Sequence, residues 1–447
     1  MLAGVAAIVV LSAVGGSGHA RTRPPLQILR GKPTQVEASL KPVGKRIARR
    51  VEKLRGLQFN HVPRVVAMGE RHLATLGRNL ARHVRARAAL HPSRQQANHQ
   101  LQRASIDLDQ LAGLLPREPG LGPDARTSGL DRIGGAYDYP RHRIIIVPAR
   151  IYTRVQLDTT IAHEMTHALE DQHFNLDLGR LTAPTEPAEV RRAITEGTAT
   201  FIQNLYRHRY LDDNVPVAQR IATTQGVIDS QHSPFAVSSQ AIFDYVDGGL
   251  FVSHLYHQAT GFRLVNRAIR HPPRRTDEIL HPRTWPGDGG QKLRVPPVKL
   301  GVAPILSSRW RPVGGGIAGE ERALTILLAG TYGTQAAMGA SGWDGGRFSV
   351  WRPRGCSGGC ESERVGVIAF RWLHSGDSEQ FAVGVPAYLT LGLLANQVRS
   401  GRLWGVDGGY VALGSDPGAS ALAFAPTKAI ALAASRRAAA SAAHGAG

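Results

Sequence analysis

The segment His163-Glu164-Met165-Thr166-His167 combines the residue types and the spacing from which a metal centre can be built. On an α-helix, positions i and i+4 lie about 40° apart on one face, so two imidazoles converge on a single ion. Glu164 is one residue, about 100°, further round from His163, so it flanks the ion rather than completing its coordination. From there it can accept a proton from a metal-bound water. Zinc suits this work, because three protein ligands leave a fourth position for water, whose pKa the metal lowers to ~7. At the His and Glu frequencies of this chain the pattern is expected by chance on the order of 0.02–0.03 times, which makes coincidence the weaker account. The rival account is two surface histidines flanking a salt-bridging glutamate.

Two histidines need a third ligand. Glu196, in Ile194-Thr-Glu-Gly-Thr-Ala-Thr200, lies 29 positions after His167, room for one loop and a returning antiparallel helix. Gly197 beside it allows helices to approach closely. His173 is the competing ligand, six residues after His167, where metzincins supply their third histidine. Their pattern needs a glycine three residues after the second histidine, and this chain has Glu170 there. On an unbroken helix His173 points about 120° away from His167, so Glu196 is preferred.

The run His163-Glu-Met-Thr-His-Ala-Leu-Glu-Asp-Gln-His-Phe174, followed by Glu196-Gly-Thr-Ala-Thr200, resembles gluzincin-type zinc peptidases. More narrowly, it is similar to a group of little-characterised exported bacterial proteins with an HELTHALQDQHF-like helix and a later EGDAT-like helix. The likeness continues through Pro272-Pro-Arg-Arg-Thr-Asp-Glu-Ile-Leu-His-Pro282 and, more faintly, Ala336-Ala-Met-Gly-Ala-Ser-Gly-Trp343. It covers about residues 45–380 and is specific only at 163–200. Met165 departs from the usual Leu, and Thr198 stands where the related helix has an Asp that could orient a ligand histidine. Asp171 is the substitute considered for that task. The resemblance implies a fold in which an edge strand aligns an extended peptide above the metal-binding helix, with Arg143 to Val147 placed for it. It also implies a donor for the developing oxyanion, for which His281, Tyr245 and Tyr256 have suitable chemistry.

These groups need elements to position them. Arg143-Ile-Ile-Ile-Val147, ended by Pro148, predicts a strand just upstream of the motif. Leu157, Ile161, Met165 and Ala168 form the apolar stripe of a helix over about 158–174, and a second helix is expected over 186–210. The region 215–270 reads as helical, broken near Asp247-Gly-Gly249. Earlier, 44–115 reads as mainly helical, with Leu73, Leu76, Leu80 and Val84 at helical spacing. Beyond the Pro/Gly-rich stretch 282–304, the expectations are a helix at Glu320 to Leu328, strands at Arg347 to Trp351 and Val365 to Trp372, and a helix capped by Asp377.

The chain has 447 residues and a net charge of +20, unevenly distributed. From Arg21 to Arg103 nineteen Lys and Arg stand against Glu37, Glu52 and Glu70, so this region alone carries +16. Such a region attracts an anionic cell-envelope polymer, lipid headgroups or nucleic acid, although no specific nucleic-acid module is present. The plainer account is a solvated helical surface in an Arg-favouring composition. An apolar run from Leu2 to Val14 ends in Gly18-His19-Ala20, which reads as a signal peptide without the usual cationic start, or as an uncleaved anchor. Cys356 and Cys360 are the two cysteines, spaced for a tight disulfide loop.

The expected fold is therefore α+β. A mostly helical metallopeptidase domain carries a small sheet whose edge strand precedes the HExxH helix, and a smaller α+β C-terminal domain follows. Segment by segment, 1–20 is a signal peptide, 21–43 a linker, 44–290 the basic helical part plus the zinc core, 300–426 the C-terminal domain and 427–447 a low-complexity tail. The expected cofactor is one Zn2+ per chain held by His163, His167 and Glu196, with Glu164 as general base and a peptide or protein as substrate. Secretion or association with the cell envelope is the expected location. Two rival readings stay open: an envelope-binding protein whose zinc is structural or vestigial, and a basic N-terminal region that acts as an inhibitory pro-segment.

Overall fold

A computed structural model describes residues 26–69, 89–117, 134–224, 233–286, 298–355, 363–398 and 402–444, with a few positions between 70 and 88. The signal segment, the Leu73 to Val84 run and the Cys356/Cys360 pair lie outside the described residues. No helix among the described residues is long and apolar enough to cross a membrane.

Helix α1 (Pro33–Arg55) begins inside the stretch expected to be a linker. Pro33 sits in its first turn, where proline's missing N–H costs nothing. Val36, Leu40, Val43, Ile47 and Val51 recur every three or four residues and are all buried against the motif helix. Residues 33–43 are thus core, because this apolar face outweighs the loop signal of Pro33 and Pro42. After strand β1 (Arg64–Ala67), helix α2 (Pro92–Leu111) leaves this neighbourhood altogether. Its Ala104, Leu108 and Leu111 pack into the interior of the C-terminal sheet. The basic N-terminal region is therefore not one detachable unit, since α1 and α2 belong to two different interiors.

Strands β2 (Gly135–Asp138) and β3 (Arg143–Ile146) join β1 in a three-stranded sheet of order β1-β3-β2. β3 pairs parallel to β1 and antiparallel to β2. The expected edge strand is thus the central one, as its unbroken Ile144-Ile-Ile146 run, buried on both faces, demands. The strand that ends the sheet and packs on the motif helix is β2. The motif helix α3 (Arg154–Phe174) starts at a capping box of Thr153 and Gln156 and is buried from Leu157 to Glu170. α4 (Glu186–Tyr210) packs along it.

Next, a helix over Phe235–Ala241 continues through a π-helical segment, Ile242–Asp247, into α5 (Gly248–Gln258). The expected break at Gly248-Gly249 is absent, because those glycines serve close packing instead. A Cβ on Gly197 would lie 2.3 Å from the Gly248 backbone, and one on Gly248 would lie 2.0 Å from the Ala193 carbonyl oxygen. The backbone of α4 therefore touches α5 immediately beside Glu196. Short helix α6 (Thr276–Leu280) and α7 (Glu320–Leu328) carry the chain into the C-terminal half.

That half is a seven-stranded antiparallel sheet ordered β4-β5-β6-β10-β9-β8-β7. Its strands are β4 (Trp310–Ile317), β5 (Trp343–Pro353), β6 (Val365–Trp372), β7 (Asn396–Gln397), β8 (Leu403–Val406), β9 (Gly409–Asp416) and β10 (Ala419–Ala425). Side chains alternate between its faces. Ile368, Phe370, Leu422 and Phe424 pack with α2, α7, α8 (Gly333–Ala340) and α9 (Ser375–Ala387). Val365, Val367, Ala369, Ala421 and Ala423 face the last helix, α10 (Lys428–His444). The expected low-complexity tail is thus an integral helix. Its buried face is Ala431, Ala434, Ser435, Ala438 and Ala442, small enough for the helix backbone to lie on Gly414.

Candidate metal centre

His163 and His167 share one face of α3, with ring centroids 4.8 Å apart. Glu196 reaches them from α4, and the ligand atoms of all three lie within 4.8 Å of one another. All three side chains are buried, and the group could hold a metal ion. One oxygen, Glu196 Oε2, is 3.3 Å from His163 Nε2 and 3.3 Å from His167 Nε2. Two ligands about 2.0–2.1 Å from a tetrahedral ion lie about 3.3–3.4 Å apart, and the two Glu196–imidazole separations are of that size.

The hydrogen bonding agrees. His163 Nδ1 is 2.9 Å from Gln203 Oε1, to which it donates. That tautomer aims the Nε2 lone pair at a carboxylate oxygen, which is repulsive unless a cation lies between them. Glu196 Oε1 and both nitrogens of His167 are buried without a hydrogen-bond partner. So are both oxygens of Glu164. Buried polar groups are almost always satisfied, and three neighbouring residues with unsatisfied atoms mark a place built for something polar.

Electrostatics point the same way. Burial pushes the Glu164 carboxyl up to about 8, against the pull of His167. Burial also lowers the His163 imidazole. It would lower His167 too, but the Glu196 carboxylate outweighs it and carries that imidazole upward. Glu196 is held below the usual carboxylate range because the two histidines overcome its own desolvation. Binding a metal cation there would require His167 to give up its proton.

Several expected roles fall elsewhere. His281 does not join the ligands; its Nε2 is 2.8 Å from Glu320 Oε1, at the junction of α6 and α7. Tyr256 packs between Phe201 and Phe262. His173, the penultimate residue of an unbroken α3, bonds the Gln58 carbonyl at 2.7 Å. Glu170, where a metzincin would have glycine, is instead paired with Arg55 at 2.9 Å, both side chains fully buried. Asp171 accepts from the Tyr137 hydroxyl at 3.0 Å and the Leu176 amide at 3.1 Å, so it orients no ligand histidine. Thr198 bonds back to the Ile194 carbonyl. Gly197 faces α5 rather than α3.

Tyr245 does reach the site. The π-helical segment turns its ring over His163, with centroids 6.1 Å apart and planes 33° apart. Two further residues emerge only in three dimensions. Gln203 lies seven residues, two helical turns, after Glu196, and that same-face spacing was the available signal. Tyr139, just past β2, has a buried hydroxyl with no hydrogen-bond partner. Burial, then the charge of Glu196 and other neighbours including Glu164, holds that phenol protonated. No protein-family model, no curated protein and no solved structure matches the chain.

Proposed function

We propose that this protein is a zinc-dependent hydrolase of peptide bonds, with His163, His167 and Glu196 as ligands and Glu164 as general base. The observation that carries the reading is the single buried Glu196 oxygen 3.3 Å from both imidazole Nε2 atoms, beside an unpartnered Glu164 carboxylate. Two imidazoles and a carboxylate favour zinc over harder or softer ions. Bound there, the ion supplies Lewis acidity and an acidified water.

The rest falls to the chain's own groups. Glu164, desolvated and paired with no other side chain, takes the proton of the attacking water and returns it to the leaving nitrogen. Gln203 fixes the His163 ring and its tautomer. Tyr139 offers a neutral phenol as donor to the developing oxyanion, a role for which His281, already engaged by Glu320, is poorly placed. β2, the terminal strand of the small sheet, supplies backbone groups for an extended peptide.

The test compares zinc-loaded wild type and Glu164→Gln, at matched zinc content, on a disordered protein substrate. The wild type cleaves it, and the variant keeps its zinc but loses on the order of 10²–10⁴-fold in rate. In the same assay Tyr139→Phe lowers kcat on the order of 10²-fold with KM unchanged. Equal cleavage by wild type and Glu164→Gln would remove Glu164 from the mechanism. No cleavage by zinc-loaded wild type would favour a structural metal.

A further inference from the structure

Helix α1 carries seven Lys and Arg between residues 41 and 55, and they divide sharply by face. Those turned toward the protein have partners. Arg46 pairs with Asp158 at 2.8 Å. Arg50 donates to the Tyr206 hydroxyl at 3.0 Å and lies over the Tyr210 ring. Arg55 is buried against Glu170. The other four, Lys41, Lys45, Arg49 and Lys53, are exposed, and none pairs with a carboxylate among the described residues.

Their spacing is regular. Each follows the last by four residues, so the row lies opposite the buried Val36, Leu40, Ile47 and Val51 face. Four residues advance about 6 Å along the axis, and the whole row runs about 18 Å. The two acids of the helix do not interrupt it. Glu37 leans toward Arg64 at 3.6 Å, and Glu52 accepts from the Phe59 amide at 2.8 Å. A row of like charges destabilises a helix at i, i+4 spacing by a few tenths of a kcal/mol per pair unless something anionic lies along it.

We infer that this row binds a linear, base-free phosphodiester polymer, a polyol-phosphate chain whose charges run parallel to the helix. The repeat favours a linear polyanion over a compact anion, because the four charges form a line rather than a cluster. A base-free chain is favoured over single-stranded nucleic acid because α1 contains no aromatic residue on which a base could stack. The charge of the N-terminal region thereby acquires an address. Binding falls to one face of one helix, and because α1 is core, this surface is rigidly attached to the metal centre.

The test uses the full chain and measures affinity at several salt concentrations by fluorescence anisotropy. The probes are a labelled poly(glycerol phosphate) and single-stranded poly(dT) with the same number of phosphates. Lys41→Gln, Lys45→Gln, Arg49→Gln and Lys53→Gln combined should leave the melting temperature within a few degrees of wild type. They should weaken poly(glycerol phosphate) binding at least tenfold at low salt and reduce the slope of log K against log salt by about 3. Arg94→Gln with Arg103→Gln, exposed cations on α2, should change neither. An unchanged slope in the quadruple variant, or an equal loss in the α2 pair, would overturn the assignment to α1. Binding to poly(dT) more than tenfold tighter than to the base-free chain would make the surface a nucleic-acid site instead. These outcomes do not depend on peptidase activity.

Discussion

Around α3 and α4 the chain buries His163, Glu164, Thr166, His167, Glu170, Glu196, Thr198, Thr200, Gln203 and Asn204, whereas the C-terminal sheet buries Phe348, Phe370, Trp372, Phe381, Leu422 and Phe424. The sheet interior is mainly apolar, with Trp372 Nε1 as an unpartnered polar atom of its own, and its rings touch one another, with Phe370 5.3 Å from Phe381 and 5.8 Å from Trp372 between centroids. The helical interior contains polar atoms without partners, each of which costs about 1–3 kcal/mol in a folded protein. A chain pays that cost where a ligand will satisfy those atoms. The contrast therefore assigns stability mainly to one region and binding to the other. Arg55 and Glu170, one helical turn from His167, form a buried ion pair at 2.9 Å, so here a buried charge meets its opposite, with Arg55 Nη1 hydrogen-bonded to nothing and Glu170 Oε2 likewise.

Three substitutions break or sharpen this division. Phe370→Ala removes a fully buried ring from the sheet interior and should cost about 3–5 kcal/mol of stability by denaturant unfolding. Zinc affinity of the folded variant should not change; a parallel loss of zinc would show that the two interiors are coupled. Gln203→Leu should do the reverse, weakening zinc by about 10–100-fold in a chelator competition while shifting the unfolding midpoint little. If zinc affinity stayed put, His163 would not need its fixed tautomer. Smallest is the effect at the junction, where buried Glu186 accepts from the Thr276 amide at 2.9 Å and its hydroxyl at 3.0 Å. Burial raises this carboxyl from 4.5 to about 8. The folded state thus favours the protonated form, and the associated stability is full below pH 4.5 and lost as pH rises through about 8. Metal-free wild type should lose stability relative to Glu186→Gln as pH rises across that window. Parallel pH profiles for the two proteins would exclude Glu186 as the source.

The parts of this protein that depend on short-range periodicity were legible in the sequence. The α3 and α4 helices, the His163/His167 pair on one face and the strand at Arg143 all follow from spacing within a few residues. Glu196 was reachable too, because a helix, a loop and a returning helix leave few places for it. Misreadings arose where local composition argued against burial. Pro33 and Pro42 make the first half of α1, up to residue 43, look like a linker, and an Ala/Ser/Arg run makes α10 look like a tail. In both, an apolar or small-residue face at helical spacing was present, and only a partner surface gave it value. The order β1-β3-β2 was likewise outside the reach of local signals, since β1 and β3 are separated by most of the N-terminal region.

Sequence alone determined the donor set, because which atoms can ligate a metal and whether two of them share a helix face are properties of residue type and a 3.6-residue period. Tertiary structure decided everything that depends on a second element arriving from afar. It set Gln203 behind His163, brought the Tyr245 ring to His163, gave His281 to Glu320, and sent α1 and α2 to separate interiors. The reason is physical. Burial and charge environment depend on what packs against a residue, and that partner is chosen by the apolar surface of the whole chain rather than by its neighbours in sequence.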